Sequence, residues 1–438
     1  MQVSIACVIK MDIHTKGSKM VQYFDDKENR SSAEREKCFN QQISEMFHSG
    51  YVKSKRVKNI CDDLGLDSAS IETIHDLEKF PIISRPKLIE IESMDPPFGG
   101  FQNVDAKIDR IFTSPGPVYE PHLSEDDFLW ARAYFAAGIR ENDVVLNAFS
   151  YHMVAAGLTF HGGLRKIGAT VIPSGTSSSV TQVQLIRDLG VTAYTGTPSF
   201  FLSIIKKAEE MGYDFKKDFK LSRACFAAEP LDPSLREIFE NQYGVITYQM
   251  YGATEVGDIA FECHEKCGWH ICEEVLVEIV DPVSGKLLPH GEYGEVVVTR
   301  FNNIFFLFRF GTGDISKLID SPCPCGRTSY RLDGIAGRLG DAVKVRGLFV
   351  TSNQLKKVKE RFFHVKMQAV VSRSAHEDIL TLKVEPKEGS LELSTFEDEL
   401  KSYFKEMCTV KIDHMELLER GTLKDGEDLI VDERTWKR

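Results

Sequence analysis

The stretch Tyr251–Asp258, YGATEVGD, packs an aromatic ring, a glycine, a hydroxyl and carboxylates into one short segment. Tyr251 can stack on a purine, and Gly252 lets the backbone approach a ligand closely. Thr254 and Glu255 can reach a phosphate group and its metal ion. Taken alone, the segment is a turn that suggests a nucleotide-binding site.

A second group of residues suggests a metal. Five of the ten cysteines fall between positions 263 and 325, close to histidines. A set of three cysteines and one histidine satisfies tetrahedral Zn²⁺ and leaves no open position for water. The candidate structural zinc ligands are Cys263, His270, Cys323 and Cys325. Cys267 and His264 are spare candidates, and reduced thiols without a metal remain the alternative.

Composition limits the function classes. The 438 residues are 42% hydrophobic, which is enough for large cores in two or three domains. A net charge of -11 argues against non-specific binding to nucleic acid or to acidic membranes. No apolar run reaches membrane-spanning length, and residues 1–20 lack a signal-peptide pattern and are a possible disordered extension. Clustered cysteines that favour metal over disulfides predict a cytoplasmic protein.

The elements that must position these residues alternate in type. From Asp126 onward, helical segments alternate with short apolar strands, which predicts a parallel sheet covered on both faces. After Cys272 the pattern becomes rich in alternating strands, and from about Leu339 a smaller α+β unit follows. We therefore predict an α/β protein with a large N-terminal domain of mixed and parallel sheets and helices, residues 21–340, and a small mobile α+β C-terminal domain, residues 341–438.

Polar turn residues follow several of the predicted strands. They lie at Ser150–Tyr151, Ser174–Ser179 and Thr195–Ser199, and the segment Tyr251–Asp258 follows another strand. Ligands of such sheets bind at the carboxyl ends of the strands. The sequence therefore predicts that these turns line one site.

The order of the motifs resembles the acyl-adenylating superfamily and, within it, the phenylacetate–CoA ligase family. The resemblance covers the chain from about Val21 to its C-terminus. The motifs that carry it are YFDD, FPIISRPKL, LTFHGGLRKIGATVIPSG, TGTPSF, FAAEPL, YGATEVG, VDPVSGKLLPHGEYGEVVVT, FRFGTGD, CPCGRT and GIAGRLGDAVKVRG.

The resemblance implies a two-step reaction. A carboxylate would attack the α-phosphate of ATP to give an acyl-AMP, and the thiol of CoA would then attack the acyl carbon. The implied partners are a small carboxylic acid, an adenine nucleotide and CoA, with Mg²⁺ as cofactor and a possible homodimer as the assembly. A zinc site also occurs in part of this family, at positions that match the cysteine set.

The resemblance also assigns roles to residues. The adenine contacts fall on two motifs: Ala228, Glu229, Pro230, Tyr251, Gly252 and Ala253. Thr254 would touch the phosphoryl group, and Glu255 would hold Mg²⁺. Asp314 and Arg338 would hold the two ribose hydroxyls. Asp341 matches the hinge about which the small domain turns between the two half-reactions.

The acyl pocket departs from the family pattern. Tyr151 matches an aromatic residue that lines the aryl-acid pocket, but its neighbours in FSYHMVAAGL differ from the usual ones. A changed acid substrate is therefore expected, and simple packing of Tyr151 is the alternative.

Two elements that carry catalysis in the family are changed. The phosphate loop, normally a Ser/Gly/Thr run that closes on a lysine, is TSPGPVYEP here, with Pro115, Pro117 and, at the lysine position, Glu120. The family's C-terminal lysine falls on Glu427, and Lys424 precedes the motif glycine. Two carboxylates in place of two ammonium groups reverse the charge offered to a polyphosphate.

Three hypotheses remain open from the sequence. The first is an AMP-forming acid–CoA ligase with divergent loops. The second is an enzyme that transfers an acyl group from an activated donor without ATP-dependent adenylation. The third is a non-catalytic relative that only binds ligands.

Overall fold

The computed structural model describes residues 23–434 except 115, 124–128, 283, 336, 340–341, 347, 375–376, 388–392, 409 and 425–427. The predicted extension at residues 1–20, the predicted hinge residue Asp341 and the replaced lysine position Glu427 lie outside the described residues. Everything below concerns the described part of the chain.

The α-helices begin at residues that suit a helix N-terminus. Ser31 caps the first helix in a capping box with Glu34, and Thr197 caps a helix whose first residue is Pro198. The helices are α1 (Ser32–Lys53), α2 (Lys55–Leu64), α3 (Arg85–Met94), α4 (Ala131–Ala136), α5 (Ala156–Lys166), α6 (Ser179–Asp188), α7 (Pro198–Glu210), α8 (Phe215–Asp218), α9 (Pro233–Glu237), α10 (Ser352–Arg361) and α11 (Leu393–Cys408).

The strands fall into several sheets. The first half comprises β1 (Ile83–Ser84), β2 (Arg110–Ser114), β3 (Val118–His122), β4 (Val144–Asn147), β5 (Thr170–Ile172), β6 (Ala193–Gly196), β7 (Arg223–Phe226), β8 (Ile246–Ala253), β9 (Gly257–Glu262), β10 (Trp269–Ile271) and β11 (Val275–Val280). The second half comprises β12 (Gly294–Arg300), β13 (Phe310–Ser316), β14 (Leu318–Ile319), β15 (Arg331–Leu332), β16 (Gly337–Arg338), β17 (Ala342–Val345), β18 (Leu348–Thr351), β19 (Val365–Ser374), β20 (Glu377–Pro386), β21 (His414–Leu417) and β22 (Ile430–Asp432).

The largest sheet has nine strands in the order β14-β15-β10-β9-β8-β7-β6-β4-β5. The pairs from β5 to β8 are parallel, and the pairs from β8 to β14 are antiparallel. The parallel half is the part that the alternation of helices and apolar strands predicts. Since β8 is the last parallel strand, the turn that follows it lies where the sheet changes direction.

A second sheet packs in the same domain in the order β1-β13-β12-β11, and β16 also pairs with β13. Its strands β11 and β12 correspond to the two alternating segments of the sequence around the Gly/Pro turn. The aromatic run FNNIFFLFRFGTGD, residues 301–314, joins this sheet only from Phe310 onward, in the strand Phe310–Ser316. Arg309 has a φ of +49° and pairs with Glu278 inside the core, so the chain turns just before β13 begins.

The segment TSPGPVYEP is part of a hairpin and not only a loop. β2 and β3 pair antiparallel, with Thr113 opposite Tyr119 and Phe112 opposite Glu120. Glu120 therefore lies on a strand, and its burial is fixed by the pairing of that strand.

The C-terminal part forms a sheet in the order β21-β20-β19-β22, with α10 and α11 beside it. Its core is a separate cluster of buried apolar residues between Val343 and Ile430. The predicted fold class, a large mixed α/β domain followed by a smaller α+β domain, is confirmed. None of the helices in the described ranges has both the length and the apolar character that a bilayer crossing requires.

Candidate active site

A cavity of about 1410 Å³ lies at the carboxyl ends of the parallel strands. A single small-ligand pocket typically measures about 300–1,000 Å³, so this cavity has room for more than one ligand. The small domain contributes part of the wall, including Arg346, Asp378 and Arg434. The three predicted turn regions and the Tyr251 segment all contribute residues to the lining.

The segment that begins at Tyr251 forms the end of β8 and the turn into β9. Gly252 has no room for a side chain, since a Cβ there would lie 2.4 Å from the Gly257 carbonyl oxygen and 2.7 Å from the Trp130 ring. In the turn, the Thr254 hydroxyl donates to Glu255 Oε2 at 3.2 Å. The predicted juxtaposition of a ring, a close backbone, a hydroxyl and a carboxylate is therefore present in the cavity wall.

Tyr251 connects to both predicted ribose-binding residues. Its hydroxyl donates to Asp314 Oδ2 at 2.8 Å, and Arg338 Nε lies 2.7 Å from Asp314 Oδ1. Burial raises the pKa of Tyr251 well above its usual value, and the Asp314 charge adds to the rise. The phenol is thus a hydrogen-bond donor at neutral pH, and it orients the Asp314 carboxylate.

The segment Ala228–Pro230 lines the same end of the cavity. Ala228 has a φ of +70°, a left-handed conformation that is uncommon for a residue with a side chain. Glu229 accepts a hydrogen bond from the Ser199 hydroxyl at 2.9 Å, and burial raises its pKa. Such strain in the backbone is typical of ligand sites, and here it turns the backbone of this segment along the cavity wall.

The part of the cavity where the resemblance places the phosphate groups, called the phosphate end below, contains buried charged groups around Arg85 and Glu255. Arg85, the first residue of α3, lies 3.0 Å from Glu255 Oε1 and donates to the Ser114 hydroxyl at 3.3 Å. Burial raises the pKa of Glu120 to about 8, and the Glu255 charge adds to the rise. Burial also raises the pKa of Glu92, whose Oε2 accepts from the Tyr119 backbone, to about 7. One guanidinium thus faces a concentration of buried carboxyl groups.

Aromatic rings line the part of the cavity where the resemblance places the acid, called the acyl end below. Phe149 and Phe160 stack with their ring centroids 4.4 Å apart, and Trp130 lies 4.4 Å from Phe160 on the other side. Ser150 lines the cavity, whereas Tyr151 is not among its described lining residues. The Tyr151 hydroxyl accepts from Asn147 at 2.8 Å and lies 3.1 Å from His161 Nδ1. The assignment of Tyr151 to the acyl pocket stays a prediction.

The predicted metal ligands come together away from the cavity. One ligand atom from each of Cys263, His270, Cys323 and Cys325 lies within 4.8 Å of the others, and all four residues are buried. The spare candidate Cys267 is exposed, and its sulfur lies 3.5 Å from that of Cys323.

Buried ion pairs hold the cysteine region to the N-terminal part of the described chain. Arg327, two residues after Cys325, lies 2.6 Å from Glu28 Oε1. Arg35 of α1 lies 2.9 Å from Glu273 Oε1, close in sequence to Cys272. The cysteine cluster is therefore part of the packed large domain.

Sequence reasoning missed Arg85 and Trp130. Arg85 stands in the motif FPIISRPKL at the first position of a helix, where the helix dipole disfavours a positive side chain. That mismatch was the available signal. Trp130 carried no sequence signal of a functional role, because a tryptophan in an apolar helix is typical of a hydrophobic core.

Comparison with known proteins agrees with this geometry. Residues 123–304 match the family model described as AMP-binding enzyme. The phenylacetate-coenzyme A ligase of Escherichia coli (strain K12) is 31% identical over 84% of this chain and 86% of its own length.

Solved structures extend the likeness in fold. 2-Hydroxyisobutyryl-CoA ligase, in complex with 2-HIB-AMP and CoA in the thioesterification state, superposes with a TM-score of 0.84 at 22% identity, over 93% of this chain and 91% of its own. The same ligase in the postadenylation state, with R3-HIB-AMP, covers the same shares at 22% identity and a TM-score of 0.68. By its identity to a curated relative over most of both sequences, the chain belongs to the phenylacetate–CoA ligase family.

Proposed function

We propose that this protein is an AMP-forming acid–CoA ligase, which activates a small carboxylic acid as an acyl-AMP and passes the acyl group to CoA. The observation that carries the proposal is the single large cavity, in which the Tyr251–Asp314–Arg338 network and the Thr254–Glu255 pair share one wall. Its volume suits a nucleotide together with a second ligand. The small domain, whose residues Arg346, Asp378 and Arg434 also line the cavity, would offer a surface for CoA.

Adenine and ribose would bind at the end of the cavity around Tyr251. The backbone of Ala228–Pro230 and the Tyr251 ring would hold the adenine, since Gly252 lets the base come close to β8. Asp314 would accept hydrogen bonds from the ribose hydroxyls, while Arg338 would donate to them.

The phosphate groups would lie between the β8–β9 turn and the N-terminus of α3. Thr254 would donate to the α-phosphate, and Glu255 would hold Mg²⁺, which when bound neutralises phosphate charge. Arg85 would add a guanidinium on the same side, because it already faces the cavity beside Glu255. This cation supports phosphate binding although Glu120 replaces the usual lysine.

The acid would lie against Trp130, Phe149 and Phe160, with Tyr151 behind them. These rings are closely stacked, which favours a small or flat acyl group over a long chain. Asp341 remains the proposed hinge for the turn of the small domain between the two half-reactions.

The decisive assay offers ATP, Mg²⁺, CoA and a panel of aryl and short-chain acids, and it measures pyrophosphate release and acyl-CoA by mass spectrometry. We expect both products with at least one acid. Acyl transfer from a supplied acyl-AMP without pyrophosphate release from ATP would favour the divergent acyltransferase instead. Binding of AMP without either reaction would favour a non-catalytic relative.

We further propose that Cys263, His270, Cys323 and Cys325 hold a structural Zn²⁺. Ligands about 2.3 Å from a tetrahedral centre lie about 3.8 Å apart, and the sulfurs of Cys263 and Cys323 are separated by 3.8 Å. The buried set leaves no side for a substrate, so its role would be structural. Metal analysis should give about one zinc per chain, a value that C61S, at a buried cysteine outside the cluster, should keep and C325S should lose.

A cytoplasmic location and a homodimer remain proposals that rest on the sequence and on the family resemblance. Fractionation of the producing cells and light scattering of the purified protein would test them.

A further inference from the structure

Glu120 is a buried carboxyl group without a hydrogen-bond partner in the described part of the chain. Its residue is 5% exposed, and both of its carboxylate oxygens lack such a partner. The nearest groups belong to the phosphate end of the site, and they are Arg85, Ser114, Thr254 and Glu255. The strand pairing of β3 fixes the carboxyl at this position.

Several other buried carboxylates in this protein are matched by cations, although Asp258, like Glu120, has no hydrogen-bond partner in the described part of the chain. Glu278 lies 3.0 Å from Arg309, Glu262 lies 2.8 Å from Arg236, and Glu273 pairs with arginines from the N-terminal part of the described chain. Burial of a charge without a partner is costly, so a folded protein normally supplies one. At Glu120 the nearest arginine, Arg85, already pairs with Glu255.

The charges at the phosphate end leave room for one more cation. The family's lysine would bring one positive charge to position 120, whereas Glu120 brings none, and Arg85 is already paired with Glu255. A bound divalent cation would restore the balance. Mg²⁺ typically takes one or two carboxylate ligands and completes its shell with water and substrate phosphates, which this end of the cavity can accommodate.

We propose that Glu120 is a second carboxylate ligand, which holds with Glu255 the divalent cation that accompanies the nucleotide. The metal ion then takes over the role of the missing lysine ammonium and brings positive charge to the phosphates. This inference rests on the proposed function for the presence of a nucleotide, but the cation site itself is tested without any reaction.

The test measures Mn²⁺ binding to the purified full-length chain by electron paramagnetic resonance, first with Mn²⁺ alone and then with saturating AMP. We expect one Mn²⁺ per chain, with the affinity reduced at least tenfold in E120Q and in E255Q. E385Q is the matched control, because Glu385 is a carboxyl of similar burial in the small domain, outside the phosphate end, and E385Q should change the affinity less than twofold. Circular dichroism checks the fold, and E120K, which also lacks the ligand oxygens, serves if E120Q does not fold.

Three results would overturn the proposal: no Mn²⁺ uptake by the wild-type chain, unchanged affinity in E120Q, or a loss in E385Q as large as the loss in E120Q. These outcomes are separate from the proposed function. If the wild-type chain forms acyl-CoA but E120Q binds Mn²⁺ as tightly as wild type does, only the inference is wrong. If E120Q loses Mn²⁺ binding but the wild-type chain forms no acyl-CoA, only the proposed ligase activity is wrong.

Discussion

The two ends of the nucleotide cavity differ in how their charges are satisfied. At the Tyr251 end, Asp314 is held by a phenol and a guanidinium, so its carboxylate is paired before a ligand arrives. At the phosphate end, the single guanidinium of Arg85 faces Glu255 and Glu120 together. Under the proposed function, the first end would be pre-organised for the neutral nucleoside, while the second would depend on a cation that comes with the ligand.

The largest expected effect comes from adding a side chain at Gly252, in the tightly packed end of β8. In G252A the new Cβ would meet the Gly257 carbonyl and the Trp130 ring, and we expect a loss of about 2–4 kcal/mol in the free energy of unfolding. Denaturant unfolding measures it. G212A is the control, since its Cβ has open space and only the left-handed backbone opposes it, at about 1–2 kcal/mol. Equal losses in the two variants would show that the β8 turn is not tightly packed.

Next in size is the removal of charge from the paired end. D314N keeps the shape but leaves Arg338 without its carboxylate, and we expect AMP to bind about 30–100-fold more weakly because about 2–3 kcal/mol is lost. Calorimetry with AMP measures the change. D333N, at another carboxylate that lines the cavity, should stay within a factor of two. If D314N bound AMP with wild-type affinity, the Tyr251 end would not depend on the paired Asp314 carboxylate for nucleotide binding.

The phosphate end is tested separately through Arg85. R85M should lower ATP-dependent pyrophosphate release about tenfold, because the guanidinium beside Glu255 is worth about 1–2 kcal/mol toward phosphate. AMP affinity should change much less than release, since the Tyr251 end is intact. K87M changes an exposed lysine on the same helix and should have no effect. A matching loss of AMP binding in R85M would mean that the two ends do not act independently.

The smallest effect concerns Asp258, the buried last residue of the Tyr251 segment. Burial raises its pKa to about 6, so the native state favours the protonated form. This contribution to stability is present at low pH and is lost as the pH rises through about 6. The asparagine of D258N cannot ionise, so the variant does not lose this stability as the pH rises. Its free energy of unfolding relative to wild type should therefore rise by about 1 kcal/mol between pH 5 and pH 7. Denaturant unfolding at the two pH values measures it, and a constant difference would contradict the raised pKa.

The parallel half of the large sheet could be predicted because each of its strands carries a local signal. Short apolar runs such as Val144–Asn147 and Ala193–Gly196 are bounded by helices and turns, a pattern that is typical of buried strands in a parallel sheet. The aromatic run before Phe310 is also largely apolar, but its strand begins only after Arg309, whose guanidinium pairs with Glu278. That choice depends on a partner distant in sequence, which no local pattern contains.

The site was predictable to a similar extent. The motifs placed Tyr251, Asp314 and Arg338 in one region, and the structure joins them through hydrogen bonds. The four metal-ligand candidates also meet as their spacing predicts. The role of Arg85 was not predictable in this way, since its proximity to Glu255 arises only when α3 packs against the β8–β9 turn.

The buried pair of Glu28 and Arg327 joins residues 299 positions apart. Contacts of such long range close only after most of a chain has been synthesised, which makes them slow to form. In a chain synthesised from its N-terminus, the Glu28 carboxylate can meet the Arg327 guanidinium only after residue 327 has been made. A fragment that ends before Arg327 would therefore leave Glu28 without its arginine.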